Sequence, residues 1–405
     1  MIRHAPSIGL GLGLSLRGSG GSGGVGFRGI LDQYPGAAAA YSLRALSSGW
    51  LAGDVVEVRP SSGWTPASFT ANQVANGDMV DYVKRCGDFT NDGYETFANN
   101  GTGDGFTATN TSGTGFARSS SVFGTTSDVV TIDFDLSIVS GSPSISLRAA
   151  NTQRSNLVTY TTSGSKTATL TATGGFDNFT FSEGDVPSEF TISNVRVSAN
   201  DGFVSTWYDQ SGNGNNATQA TTTAQPKIVS AGALVTGGID FDGVDDGLAT
   251  TGQVLTTSAF FMAAVMKHDT GTIGANGETV LGQYELSTAG RFQLSANASN
   301  EYSFFANGTD SIVGLSTGAV GTSQTLISTN GDGSNAEIWR DSVSKATDTY
   351  SGFTPAMLDF TIGIDSSGQR EFNGKIAEVI VYPSDQSANR VAIETNIQDA
   401  YPALP

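Results

Sequence analysis

VVTIDFDLSI, Val129–Ile138, alternates without a break: Val130, Ile132, Phe134, Leu136 and Ile138 share one side of an extended chain, and Thr131, Asp133, Asp135 and Ser137 share the other. A period of two predicts a strand with one face in a core and one in water, and hence antiparallel pairing. The pattern returns in SISLRA (Ser144–Ala149), FTFS (Phe179–Ser182) and FTISNVRV (Phe190–Val197), where charge thins and Thr and Ser rise. Residues 92–198 therefore read as one β-sandwich unit. Further on, GGIDFDG, SAFFMAAVM, FQLSA, YSFFAN, QTLISTN, AEIWRD, LDFTIG and GKIAEVIVY recur between Gly, Asn and Asp turns. With no long helix between them, they argue for a second sandwich over 199–405 rather than a βαβ fold. One short helix, from about Ser384 to Ala400, would close the chain, with Val391, Ile393 and Ile397 as its contacts and Pro402 barring extension.

The segment before these units reads differently. AAAAYSLRAL (Ala37–Leu46) is made of good helix formers and predicts a helix. GDVVEVRPSS alternates Val56 and Val58 against Glu57 and Arg59, a short strand closed by Pro60, and NGDMVDYVKRCG predicts a helical turn with Met79, Val80 and Val83 on one side. Together these make a small leader unit over 37–91. Residues 1–36 read as an extended glycine-rich arm. Its start sets Arg3 and His4 ahead of Ile8–Leu16, as a secretory signal would, but Gly9, Gly11 and Gly13 interrupt the apolar part and no small-residue cleavage site follows. A flexible arm and an arm ordered against neighbouring subunits are the competing readings.

Across 405 residues there is one cysteine, Cys86, so no intrachain disulfide framework exists. Twenty Lys and Arg against 38 Asp and Glu give a formal charge of -18, with no basic run, which argues against phosphate-driven binding of nucleic acid. No apolar run is long enough to span a membrane. Charged residues make up only 14% of the chain, so Ser, Thr, Asn and Gly must supply surface polarity, a composition suited to an extracellular or particle-surface β protein.

Two loops invite a chemical reading. In WYDQSGNGNNATQ (Trp207–Gln219), Asp209 is followed by hydroxyl and amide oxygens that could hold calcium if other loops contribute, or could cap backbone amides in a tight connection. In DFDGVDDGLAT, Asp240 and Asp242 leave a strand on one face, and Asp245 with Asp246 follow Gly243. These carboxylates repel one another unless a cation or backbone donors compensate. Asp209, Asp240, Asp242 and Asp245 are the candidate metal ligands, with calcium the ion and no cofactor required. Trp207, Tyr208, Asn213, Asn215 and Trp339 are the candidate ligand-binding residues, and Tyr284, Tyr302 and Tyr350 could also offer flat faces to sugar rings. Catalysis has less behind it. Glu337, Glu371 and Glu378 lie in strand contexts without an evident partner, His4 and His268 have no nucleophile elbow near them, and Cys86 has no histidine nearby. NGTGDG lacks the Gly-Lys-Ser/Thr that completes a phosphate loop.

The segments FVSTWYDQSGNGNNATQ with AQPKIV, GGIDFDGVDDGL and FNGKIAEVIVYPSDQSANRVAIETNIQDAYP resemble the laminin-G and concanavalin-like lectin/glucanase superfamily. WYDQSGNGN is also similar to a segment of fungal-type arabinofuranosidase catalytic domains, whose catalytic carboxylates do not map onto residues here and whose cysteines are absent. From GDGFTATNTSGTGFA to FTISNVRV the chain resembles a jelly-roll carbohydrate-binding module, inserted between leader and lectin-like unit. AAAAYSLRAL and VVEVRPSS resemble the start of structural proteins of tailed phages and prophages. These resemblances imply a mainly β virion protein, assembled in a host cytoplasm and exposed on the particle. Its partners would be copies of itself and other virion proteins through the arm, and a host-surface glycan through the sandwiches. An architectural decoration, collar or fibre-base protein and a glycoside hydrolase are the alternatives.

Overall fold

The computed structural model describes residues 27–119, 129–149, 158–171, 178–184, 186–284, 290–306, 315–350 and 354–404; most of the arm assigned to 1–36 lies outside them. The fold is mainly β. Between residues 88 and 198, two five-stranded antiparallel sheets face each other. One runs Val158–Tyr160, Ile145–Ala149, Phe179–Glu183, Gly115–Arg118, Thr90–Asp92; the other runs Gly164–Thr171, Val129–Ser140, Ser188–Val197, Phe106–Asn110, Thr96–Asn99. The inward set of the opening stretch is buried as its alternation requires: Val130, Ile132, Phe134 and Leu136 meet Phe106, Phe179, Phe181 and Phe190 between the sheets.

The remaining strands form a larger sandwich around Asn373–Tyr382. This strand pairs along one edge with Ala259–His268, and along the other with Ala39–Ser42 and then Ile239–Asp242. Ala259–His268 continues to Thr325–Asp332, Asn335–Arg340 and Val343–Thr349. A second group, Glu278–Gln283, Phe292–Ala296, Glu301–Ala306 and Leu315–Ala319, also runs antiparallel. The central strands are buried on both faces, which is why SAFFMAAVM reads as a continuous apolar run. Phe260, Met262, Ala264 and Met266 enter the main core, whereas Phe261, Ala263 and Val265 enter a second core under the C-terminal helix.

Two expectations change. AAAAYSLRAL carries a strand, Ala39–Ser42, because its small residues are buried on both faces: Ala39 and Tyr41 in the main core, Ala40 in the second. Residues 37–84 thus share their core and ladder with residues 199–405, whereas Cys86 and Phe89 already pack in the smaller sandwich; Asp54–Pro60 pairs with Gly202–Trp207 and with Ala67–Thr70, and the helix Asp78–Val83 inserts Met79 and Val83 beneath them. The C-terminal helix spans Arg390–Ala400, starting later than expected. Ile393 and Ile397 are buried as anticipated, while Val391 points to solvent at 61% exposure.

Candidate binding site

The WYDQSGNGNN loop closes the open edge of the strand Ala39–Ser42. The Asp209 carboxylate, 1% exposed, accepts from the backbone N–H of Ala40 (2.9 Å), Ser211 (2.9 Å) and Asn215 (3.0 Å) and from the Ser211 hydroxyl (2.7 Å). Gln210 donates to the carbonyls of Ser42 and Arg44 and accepts from the N–H of Leu46. Asn213 and Asn215 donate to the carbonyl of Ala38, and Asn213 also to that of Ala37. Side-chain amides thereby do for this edge what a neighbouring strand would do. Asp209 thus acts as a backbone cap, with four donors around its oxygens.

The aromatic candidates are likewise structural. Trp207 is fully buried against Tyr41 in the main core, and Tyr208 bonds the Ser68 hydroxyl at 2.8 Å. Trp339, 4% exposed, lies under the Arg390 guanidinium of the C-terminal helix at 4.2 Å. Trp207 and Trp339 therefore offer no face to a sugar, while the Tyr208 ring is half-buried.

The acidic turn divides. Asp240 turns to Lys375 at 3.0 Å. Asp242 and Asp245 instead meet Asp246, with one oxygen of each within 4.8 Å of the others. Gly243, at φ +74, lets the chain curl so that Asp242 accepts from the Val244 N–H and Asp246 accepts from the Asp242 N–H. Burial and the neighbouring Asp242 carboxylate push the Asp246 carboxyl up to about 7. Hard oxygens of this type suit a divalent cation, but calcium takes six or more of them, so three carboxylates would need other ligands.

A cavity of about 170 Å³ that the motifs did not point to lies over Glu278–Gln283, Phe292–Ala296 and Glu301–Ala306, on the side opposite the core. Phe292 and Leu294 point inward, so the intervening Gln293 and Ser295 line the cavity together with Glu278, Phe305, Arg291 and Arg370. The Arg291 guanidinium lies 4.1 Å from the centre of the Tyr284 ring and 4.0 Å from that of Phe305. Its Nε donates to Gln293 Oε1 at 3.0 Å, and fully buried Gln293 donates in turn to the Thr279 hydroxyl. Arg370 leans on Tyr284 from 5.1 Å. Glu278 accepts from the Asn373 N–H at 3.1 Å, and buried His268 sits 3.3 Å away with its Nδ1. Of the aromatics marked in the sequence, Tyr284 alone supports this cavity. The available signal was AGRFQLSA: an arginine, rare in this chain, entering a strand whose polar positions alternate with core positions.

Fold and cavity together define a two-sandwich β protein with a small arginine-bearing pocket. No protein-family model and no curated protein matches the chain. Among solved structures, it is similar to a mutant of Trypanosoma rangeli sialidase displaying trans-sialidase activity, at 16% identity and a TM-score of 0.35, over 48% of this chain and 31% of that one. The chain therefore spans under a third of that sialidase. Domain 4 of AbnA, a GH43 extracellular arabinanase from Geobacillus stearothermophilus, matches at 13% identity and a TM-score of 0.33, over 47% of this chain and 91% of that one. A mutant GH54 α-L-arabinofuranosidase matches at 16% identity and a TM-score of 0.37, over 50% and 52%. At these identities the likeness extends no further than fold.

Proposed function

We propose that this chain is a non-catalytic adhesion protein displayed on a tailed-phage particle, which holds host-surface glycan in the pocket of its larger sandwich. The observation that carries the glycan reading is the pocket's construction. A small polar cavity is walled by an aromatic ring and by amide and guanidinium groups that neighbouring side chains hold in fixed orientation, the combination by which a sugar's faces and hydroxyls are recognised. One carboxylate, Glu278, lines it among the described residues, whereas glycoside hydrolysis by the usual route needs two. The virion assignment is supported by the resemblance of AAAAYSLRAL and VVEVRPSS to the opening of phage structural proteins. A pocket this small gives weak single contacts, which many copies on one particle would convert into firm attachment.

The test is a glycan array probed with the full chain, paired with an assay for released reducing ends on the polysaccharides that bind. Saturable binding without release supports the reading. A blank array would leave an architectural role, and release of reducing ends would make the protein a hydrolase.

A further inference from the structure

The charge of the pocket allows a narrower statement, which rests on the glycan reading above. Arg291 and Arg370 share the Tyr284 ring, and neither forms an ion pair among the described residues, in a chain with 38 acidic residues to 20 basic ones. The acid whose field reaches Arg291 is Asp365, and its carboxylate is turned into its own loop, accepting from Ser367 and Gln369. Glu278 is directed to the Asn373 N–H and to His268. Burial, reinforced by the like charge of Arg370, pulls the Arg291 guanidinium down to about 10, still cationic at neutral pH. Two cations brought together and partly desolvated are an unfavourable arrangement that an anion from outside would relieve. Gln293, itself held by Thr279, accepts from both Nε and Nη2 of Arg291 and so fixes the plane of the guanidinium, which leaves Nη1, without a hydrogen bond among the described residues, for that anion.

We propose that the pocket recognises one acidic residue of a glycan, gripping a sugar carboxylate or sugar sulfate between Arg291 and Arg370 while the ring of Phe305 borders the sugar. The net charge of -18 does not forbid this. At physiological salt the screening length is about 8 Å, so the two nearby cations outweigh distant carboxylates.

The test is calorimetric titration of the full chain with tetragalacturonate, with its methyl ester, which is the same sugar without charge, and with a kappa-carrageenan tetrasaccharide, which bears sulfate and no carboxylate. At least one anionic probe is expected to bind about tenfold or more tightly than the ester, and the two anionic arms tell carboxylate from sulfate. Arg370→Asn should lose about tenfold or more of that affinity with an unchanged melting temperature, because Arg370 sits at φ +58, a conformation Asn tolerates. Arg291→Lys, which keeps the charge but not the fork, should lose a comparable factor. Equal binding of acid and ester, binding of neutral glycans alone, or unaltered affinity in both variants would overturn the acidic assignment and leave the glycan reading standing. No binding to any neutral, carboxylated or sulfated glycan on the array would remove both.

Discussion

Asp246 is the residue whose protonation the fold alters most usefully for experiment. Its carboxyl stands at about 7 against an ordinary 3.8, because the chain buries it and sets Asp242 beside it. A raised acid pKa means that the folded state holds a proton the unfolded state has released, so stability falls as pH climbs from about 4 to about 7 and levels off above. The span corresponds to a loss on the order of 2–4 kcal/mol. Asp246→Asn keeps an oxygen for the Asp242 N–H and adds donors toward the neighbouring carboxylates. The variant is expected to melt progressively higher than the parent between pH 4 and 7, with a constant gap beyond pH 8; parallel melting curves across that range would refute the shift. The crowding of these carboxylates was legible in the sequence, because four acids in seven residues must repel one another. Whether each turns to a lysine, a backbone N–H or a neighbour depends on partners far along the chain, and Asp240 finds Lys375 only after the strands pair. Asp209 shows the same limit from the other side. An acid among amides looks alike as a cation loop and as an edge cap until Ala40 is placed beside it.

At the scale of elements, the strand Ala39–Ser42 is held by a polar knot as well as by its ladder. Glu378, 1% exposed in the central strand, accepts from Arg44 Nε at 2.7 Å and Arg44 Nη2 at 2.8 Å, from the Ser42 hydroxyl at 2.9 Å and from the Tyr401 hydroxyl at 3.1 Å. Three elements distant in sequence meet at one carboxylate. Glu378→Ala leaves the partly buried Arg44 charge and two hydroxyls without their acceptor, and should cost about 3–5 kcal/mol in chemical denaturation. Arg44→Met combined with Glu378→Leu should cost well under the sum of the single changes, since the uncompensated charge then disappears. Additive costs in that cycle would show that the knot does not act as a unit. The knot also explains why a helix is the wrong reading of AAAAYSLRAL. Alanine favours helix locally by tenths of a kcal/mol per residue, whereas the ladder to Val379–Val381 and burial on two faces are available only in an extended chain. Strands of period two, such as Val129–Ser140, were legible because their pattern is local; a strand buried on both faces leaves no alternation to read.

For the whole molecule, the smaller sandwich is threaded into the larger one at a single crossing. Its entry and exit run side by side: Val197 N–H donates to the Lys84 carbonyl at 2.8 Å, and the Asn200 amide donates to the carbonyls of Val83 and Arg85. Each body has its own core, and Cys86 and Val197 already belong to the smaller one. Besides the chain itself, the Trp64 ring lies against Gly103 and the Arg196–Asp81 ion pair at 2.8 Å bridges the two bodies; Asp81 is more than half exposed, so little stability depends on that pair. Two neighbouring strands lie about 5 Å apart, a gap that a linker of roughly four residues spans without strain. Replacing residues 86–197 with such a Gly/Ser linker should therefore give a folded larger sandwich that melts within a few degrees of its transition in the full chain. It should also keep the affinity of the Arg291 pocket, because no lining residue is removed. The full chain should correspondingly show two calorimetric transitions, as bodies with separate cores do. A linker-closed protein that is unfolded or aggregated, while the full chain melts in one step, would mean that the smaller sandwich supports the larger and is no insertion in the energetic sense.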